Sequence, residues 1–101
     1  NEMTRTLYEA LGPDTSKRAF VHYPAGTYPG QTKDIADNTH FNPYGAYQIA
    51  KCVIEGMKKA VPELAKHLKI DPAYDPAHPD DVNAFHWNES PFTEIEKPDG
   101  N

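Results

Sequence analysis

The stretch that begins at Asn42 constrains the fold of this chain more than any other. Asn42 is a favourable N-cap, and Pro43 suits the first helical position, where its missing N–H would have no intrahelical partner. The apolar residues that follow recur at helical spacing on one face: Ala46, Ile49, Ala50, Val53, Met57 and Ala60. Charged residues fall mainly on the other side. The pattern predicts a helix over 43–60. Val61-Pro62-Glu63 then breaks or restarts it, and the apolar face continues to about residue 68.

The residues before this helix predict shorter elements. Apolar residues at helical spacing over 2–11 predict a helix that stops at Gly12-Pro13. A polar turn over 14–17 then leads to an apolar run over 19–23, which predicts a strand. Pro, Gly, Thr and Asp dominate 24–38, so we expect an ordered surface loop there.

The composition predicts a small core. Hydrophobic residues make up 38% of the 101 residues, ten residues are proline, and the mean hydropathy is -0.78. A chain this short and polar buries little apolar surface. It begins at Asn1, and residues 2–11 already look like a helix interior. We therefore expect a piece of a larger domain, with residues 2–68 as one region.

The second region, 69–101, has no helical or strand period. Its prolines alternate with acidic residues, yet it carries several aromatic residues: Tyr74, Phe85, Trp87 and Phe92. Because a disordered tail is poor in aromatic residues, we expect an extended segment that packs back on the body.

Charge and cysteine content exclude several classes of protein. The net charge of -5 disfavours nucleic acid, which requires a basic surface. No apolar run approaches the length of a membrane span. Cys52 is the chain's single cysteine, so no internal disulfide is expected. The histidines form no H-x-H or H-E-x-x-H pair, and we expect neither a metal site nor a cofactor.

Asp37 and His40 are the candidate catalytic residues. They precede the capped helix at a spacing of three, at the end of the predicted loop. An imidazole takes a proton from a hydroxyl nucleophile, and a carboxylate on its other ring nitrogen fixes the tautomer. The spacing by itself is a weak pattern. The competing interpretation is a turn-capping aspartate beside an exposed histidine.

The stretch DNTHFNPYGAYQIAKCVIEGMKKAVPELAKHL resembles the last catalytic block and final helix of SGNH (GDSL-type) hydrolases. It is most similar to their rhamnogalacturonan acetylesterase branch, and LYEALGPDTSKRAFVHYPAGTYPGQTKDIADNTHF fits the same branch. The resemblance implies an α/β fold, in which this chain is the C-terminal part of a three-layer α/β/α sandwich around a parallel sheet. The chain itself would be mainly helices and long ordered loops. Asp37 and His40 match the family's triad acid and base.

The family's nucleophile lies in an N-terminal Gly-Asp-Ser block, and its oxyanion hole uses two middle blocks. The two serines here, Ser16 and Ser90, lie in neither a Gly-Asp-Ser nor a G-x-S-x-G context. We therefore expect the missing N-terminal part of the domain to complete the site, and the isolated chain to be inactive. The resemblance also implies an acetylated plant polysaccharide as substrate and a secreted or periplasmic location.

Three further expectations remain. Tyr28, between Gly26 and Gly30 on the loop that leads to His40, is the candidate substrate-binding residue. The helix face that carries Ile49, Val53 and Met57 is expected to drive self-association if the rest of the domain is absent. The alternative to an esterase is a non-catalytic accessory module that binds a carbohydrate or a protein through aromatic residues.

Overall fold

A computed structural model describes residues 2–88 of the chain. Its elements, in chain order, are helix α1 (Glu2–Thr15), a 3₁₀ turn (Ser16–Ala19), strands β1 (Phe20–Tyr23) and β2 (Ile35–Phe41), and helices α2 (Pro43–Ala60) and α3 (Pro62–Ala65). None of the described helices is long and apolar enough to cross a membrane. Phe92, one of the aromatic residues of the segment that is expected to pack back on the body, lies outside the described residues.

Helix α2 follows the prediction from its first residue to its last. The side chain of Asn42 accepts a hydrogen bond from the Gly45 N–H at 2.9 Å, which completes the predicted N-cap. The same side chain donates through Nδ2 to the carbonyl oxygens of Arg18 and Phe20, at 2.5 and 3.1 Å. Asn42 therefore joins the start of α2 to the start of β1.

Gly45 allows this close approach. It is buried in the first turn of α2, and a Cβ atom at this position would overlap the carbonyl oxygen of Ala19. Only glycine lets the helix pack so closely against the 3₁₀ turn.

The predicted helix over 2–11 is broken where expected, but the chain turns helical again. Gly12 has φ 80° and ψ 174°, a conformation outside the helical region, and residues 13–15 form a further turn. The polar turn predicted over 14–17 is wrong, because the 3₁₀ turn continues this helical path to Ala19.

The predicted loop over 24–38 is wrong at its C-terminal end. Ile35 and Ala36 pair antiparallel with Tyr23 and His22, so the loop closes a hairpin and Asp37 lies in strand β2. Most side chains of β2 are exposed, so its sequence is polar and lacks the apolar alternation that would predict a strand. The strands described are this antiparallel pair. The parallel sheet and the sandwich therefore stay expectations from the resemblance.

The buried core is small and lies between α1, the 3₁₀ turn and the N-terminal half of α2. Its apolar members among the described residues are Leu7, Ala19, Tyr44 and Cys52. Fully buried Gln48 lies beside them, on the side of α2 that also carries Lys51 and Glu55. The apolar side of α2 faces outward instead, and Val53 is 63% exposed.

The chain after α3 runs without helix or strand along the polar side of α2. Gln48 holds it there: its Oε1 accepts from the Tyr74 hydroxyl at 2.7 Å and the Asp80 N–H at 3.2 Å, and its Nε2 donates to the Asp80 carboxylate at 2.8 Å. Lys51 pairs with the same carboxylate. Further along, the ring of Phe85 meets the rings of Tyr44 and Tyr47 edge-on, with centroids 5.4 Å apart in each pair.

Candidate active site

Asp37 borders a bulge of β2, and His40 lies in it. Phe20 pairs with Phe41, but the next residue of β1, Val21, pairs with Asp37, so residues 38–40 have no partner in the register. Bulges of this kind bend a strand and redirect its side chains, and they recur beside active sites.

The Asp37 carboxylate holds the bulge together. Its Oδ1 accepts hydrogen bonds from the backbone N–H groups of Thr39 at 2.7 Å and His40 at 3.0 Å. Such side-chain-to-backbone bonds replace the ladder bonds that the bulged residues lose. The side chain of Asp37 is 34% exposed.

The two side chains are hydrogen-bonded to each other. His40 Nδ1 lies 2.7 Å from Asp37 Oδ2. The backbone N–H groups of Thr39 and His40 lower the pKa of Asp37 to about 2, with a smaller contribution from the His40 ring. The carboxylate is therefore ionised near neutral pH and only accepts, so Nδ1 carries the proton.

That tautomer has a chemical consequence. A neutral ring with its proton on Nδ1 has its lone pair on Nε2, the atom that takes a proton in general-base catalysis. The His40 side chain is 76% exposed, so a nucleophile on another part of the protein can reach it. The pair has the geometry of a base with its orienting acid.

A second pair of the same spacing lies in the segment after α3. His78 Nδ1 is 2.9 Å from Asp75 Oδ2, and the Ala77 N–H donates to Asp75 Oδ1 at 2.9 Å. Asp75 is 60% exposed and His78 84%. This pair was not predicted, although its Asp-x-x-His spacing is visible at 75–78.

His22 and Asn38 extend the site from the bulge to β1. His22 Nε2 lies 2.6 Å from Asn38 Oδ1. A carbonyl oxygen only accepts, so Nε2 donates and Nδ1 of the neutral ring is left as an acceptor. Sequence reasoning missed this contact, because residues 16 positions apart meet only once the hairpin is known.

Tyr28 lies in the hairpin loop with its ring edge-on to Tyr23, at a centroid distance of 5.2 Å and an interplanar angle of 88°. It is 52% exposed. Its role in substrate binding stays a prediction. Residues 2–88 contain no group of three or more His, Cys, Asp or Glu side chains placed to hold a metal ion.

The chain is 45% identical over 65 residues to the rhamnogalacturonan acetylesterase RhgT of Bacillus subtilis (strain 168). The resemblance predicted from the sequence is confirmed. The similarity covers 64% of this chain and 28% of that protein, so the chain matches under a third of the relative's length. No family model matches the chain, and no solved structure does.

Proposed function

We propose that this chain is the C-terminal portion of a serine carbohydrate esterase that removes acetyl groups from a pectic, rhamnogalacturonan-type polysaccharide. The observation that carries the proposal is the hydrogen-bonded Asp37–His40 pair in its bulge. The similarity to a rhamnogalacturonan acetylesterase supports the choice of substrate.

The proposed reaction is acyl transfer in two steps. His40 Nε2 takes the proton of a serine hydroxyl from the rest of the domain, and the serine oxygen attacks the acetyl carbonyl. When the tetrahedral intermediate collapses, the ester C–O bond breaks and the sugar oxygen takes the proton from His40. Water, deprotonated by the same ring, then releases acetate and restores the serine. Asp37 stays ionised throughout and stabilises the imidazolium.

The rest of the domain has a second role in this proposal. The outward side of α2 is apolar, with Val53 63% exposed and Ile49 and Met57 partly so. Covering these side chains removes apolar surface from water. We propose that the part of the domain that supplies the serine packs on this side, and that the whole protein is secreted or periplasmic. Self-association of the isolated chain through the same side chains stays a prediction, and light scattering of the isolated chain tests it.

The test compares the 101-residue chain with the longer protein that continues it upstream. The chain is expected to show no serine-type turnover of p-nitrophenyl acetate, because nucleophile and oxyanion donors are both needed. The longer protein is expected to contain a strand followed by Gly-Asp-Ser and to release acetate from acetylated rhamnogalacturonan. Turnover by the isolated chain that His40→Ala abolishes would contradict the proposal.

The alternative is a non-catalytic module that binds carbohydrate. A cavity lined by aromatic residues beside the bulge favours it as a second candidate. A longer protein that lacks the Gly-Asp-Ser block and releases no acetate, while the chain still binds polysaccharide, would support the module over the esterase.

A further inference from the structure

A cavity of about 330 Å³ lies between the start of β1, the first turn of α2 and the chain around residues 82–87. The side chains that matter for its chemistry are Arg18, His22, Tyr23, Tyr44, Phe85 and Trp87. Its volume is at the lower end of the range for small-ligand pockets, which suits one sugar unit.

Three aromatic side chains of the cavity, those of Tyr23, Tyr44 and Phe85, are held in place by their neighbours. Phe85 is fixed edge-on between Tyr44 and Tyr47, and the Tyr44 hydroxyl donates to the Asp80 carbonyl oxygen at 2.7 Å. Tyr23 is braced by the ring of Tyr28. Rigid aromatic faces offer a large contact area at low entropy cost, and a sugar ring presents its C–H groups to such faces.

Arg18 supplies the cavity's positive charge. Its Nη1 donates to Asn83 Oδ1 at 2.6 Å, which orients the guanidinium. An arginine has five N–H donors in a planar fork that matches a carboxylate, so one such bond leaves the others for a ligand. No Asp or Glu among the described residues lines the cavity. Burial raises the pKa of Tyr44 in the cavity wall, the nearby charges of Asp80 and Asp81 raise it further, and Arg18 acts against them. Arg18 is therefore the group that would attract an anion here.

The cavity shares a wall with the candidate active site. His22 lines the cavity, and its ring donates to Asn38, which lies between Asp37 and Thr39 in the bulge. The cavity and the bulge are therefore adjacent, so a polymer with one unit in the cavity can place a neighbouring unit beside the bulge, and His22 Nδ1 offers an acceptor for a sugar hydroxyl.

We propose that this cavity binds one acidic sugar unit of the polysaccharide. Arg18 pairs with the unit's carboxylate, and Tyr23 and Trp87 cover its ring. The proposal rests on the proposed function for the choice of polymer, but binding of the unit needs no serine and no turnover.

Trp87 is the chain's single tryptophan, so its fluorescence reports directly on the cavity. The test titrates the 101-residue chain with trigalacturonate and, as the matched neutral ligand, with its fully methyl-esterified form. We expect a saturable fluorescence change with the acid and an affinity about 10-fold lower for the ester, because an arginine–carboxylate pair is lost.

Two variants test the role of Arg18. Arg18→Gln is expected to weaken trigalacturonate binding about 10-fold, and Arg18→Lys about 3-fold, since lysine keeps the charge but loses the fork. The control is Arg5→Gln, which removes the same charge from an exposed arginine that pairs with Glu9 on α1. It is expected to leave the affinity unchanged. Circular dichroism checks the fold of each variant.

Four results would each overturn the proposal: no saturable change with trigalacturonate, equal affinity for acid and ester, full affinity in Arg18→Lys, or equal loss in Arg5→Gln and Arg18→Gln. The esterase proposal fails separately, through the absence of acetate release by the longer protein. Acid-specific binding without that release would uphold the cavity and reject the enzyme.

Discussion

The chain contains two Asp-x-x-His pairs with nearly the same hydrogen bond, at 2.7 Å in Asp37/His40 and 2.9 Å in Asp75/His78. The two pairs differ in the backbone hydrogen bonds that fix the aspartate and in how exposed the aspartate is. The Asp37 carboxylate is fixed by two backbone N–H groups of a strand bulge, and Asn42, directly after the strand, ties α2 to β1. The Asp75 carboxylate accepts one backbone N–H bond, in a segment without helix or strand, and the Asp75 side chain is almost twice as exposed. A catalytic group needs an orientation fixed by its surroundings, so this difference supports the proposal that the chemistry takes place at the bulge.

The largest expected difference between the pairs is in catalysis. Asp37→Asn is expected to lower kcat of the longer protein about 10⁴-fold, because the amide no longer selects the tautomer with its lone pair on Nε2. Asp75→Asn is expected to leave kcat unchanged. Equal effects of the two substitutions on acetate release would remove the distinction between the pairs.

A smaller difference is expected in stability. Gln48→Ala leaves the Tyr74 hydroxyl and the Asp80 N–H without their buried acceptor, which costs about 1–3 kcal/mol. Urea denaturation gives this free energy of unfolding, and hydrogen exchange shows where the chain opens. Faster exchange is expected around residues 74–80, with exchange at Thr39 and His40 unchanged.

The matched control for this prediction is Gln31→Ala, in the hairpin loop. Its side chain also makes several hydrogen bonds, to the carbonyl oxygens of Tyr23, Pro24 and Lys33, but none of them reaches residues 74–80. It is expected to speed exchange in the loop and to leave residues 74–80 protected. Loss of protection at the bulge in Gln48→Ala would show that the bulge and the segment after α3 are not held independently.

The smallest expected difference is in how far the pKa of each aspartate changes when its histidine is replaced. Backbone N–H groups dominate the low pKa of Asp37, which is about 2, whereas the His78 side chain is the first cause of the lowered pKa of Asp75. His40→Ala is therefore expected to leave the pKa of Asp37 well below its ordinary value of 3.8. His78→Ala is expected to remove the largest cause of the lowered pKa of Asp75 and so to raise that pKa toward its ordinary value.

Carboxyl NMR titrations of the two variants measure these shifts. The sign of the linked stability follows from the depressed pKa: Asp37 stabilises the fold above its unfolded value, and this contribution is lost as the pH falls from about 4 to about 2. A pKa of Asp37 that returns to 3.8 in His40→Ala would show that the backbone does not hold the carboxylate.

Local sequence patterns predicted α2 correctly. The features that they did not predict depend on contacts between residues distant in the sequence. Asn42, Pro43 and the apolar period specify α2 within the helix itself, and its bounds agree with the prediction. The bulge depends on pairing with β1, and its polar residues show no strand period. The contact between Gln48 and Asp80 joins residues 32 positions apart, so no local pattern predicts which side of α2 is covered.

The spacing of Asp37 and His40 drew attention to them, but spacing alone does not distinguish this pair from the one at 75–78. The same spacing at 75–78 also forms a hydrogen bond, so Asp-x-x-His predicts contact between the two side chains rather than catalysis. The resemblance over DNTHFNPYG pointed to the pair at 37–40, and the backbone bonds to the Asp37 carboxylate distinguish that pair physically from the one at 75–78.

The most direct test measures kcat/KM for p-nitrophenyl acetate in the longer protein, with His40→Ala and His78→Ala side by side. General-base catalysis by His40 predicts a loss of more than about 10⁴-fold in His40→Ala, because the base itself is removed, and a change below about 2-fold in His78→Ala. A His40→Ala protein that is folded and retains its activity, or an equal loss in His78→Ala, would contradict the assignment of the catalytic base.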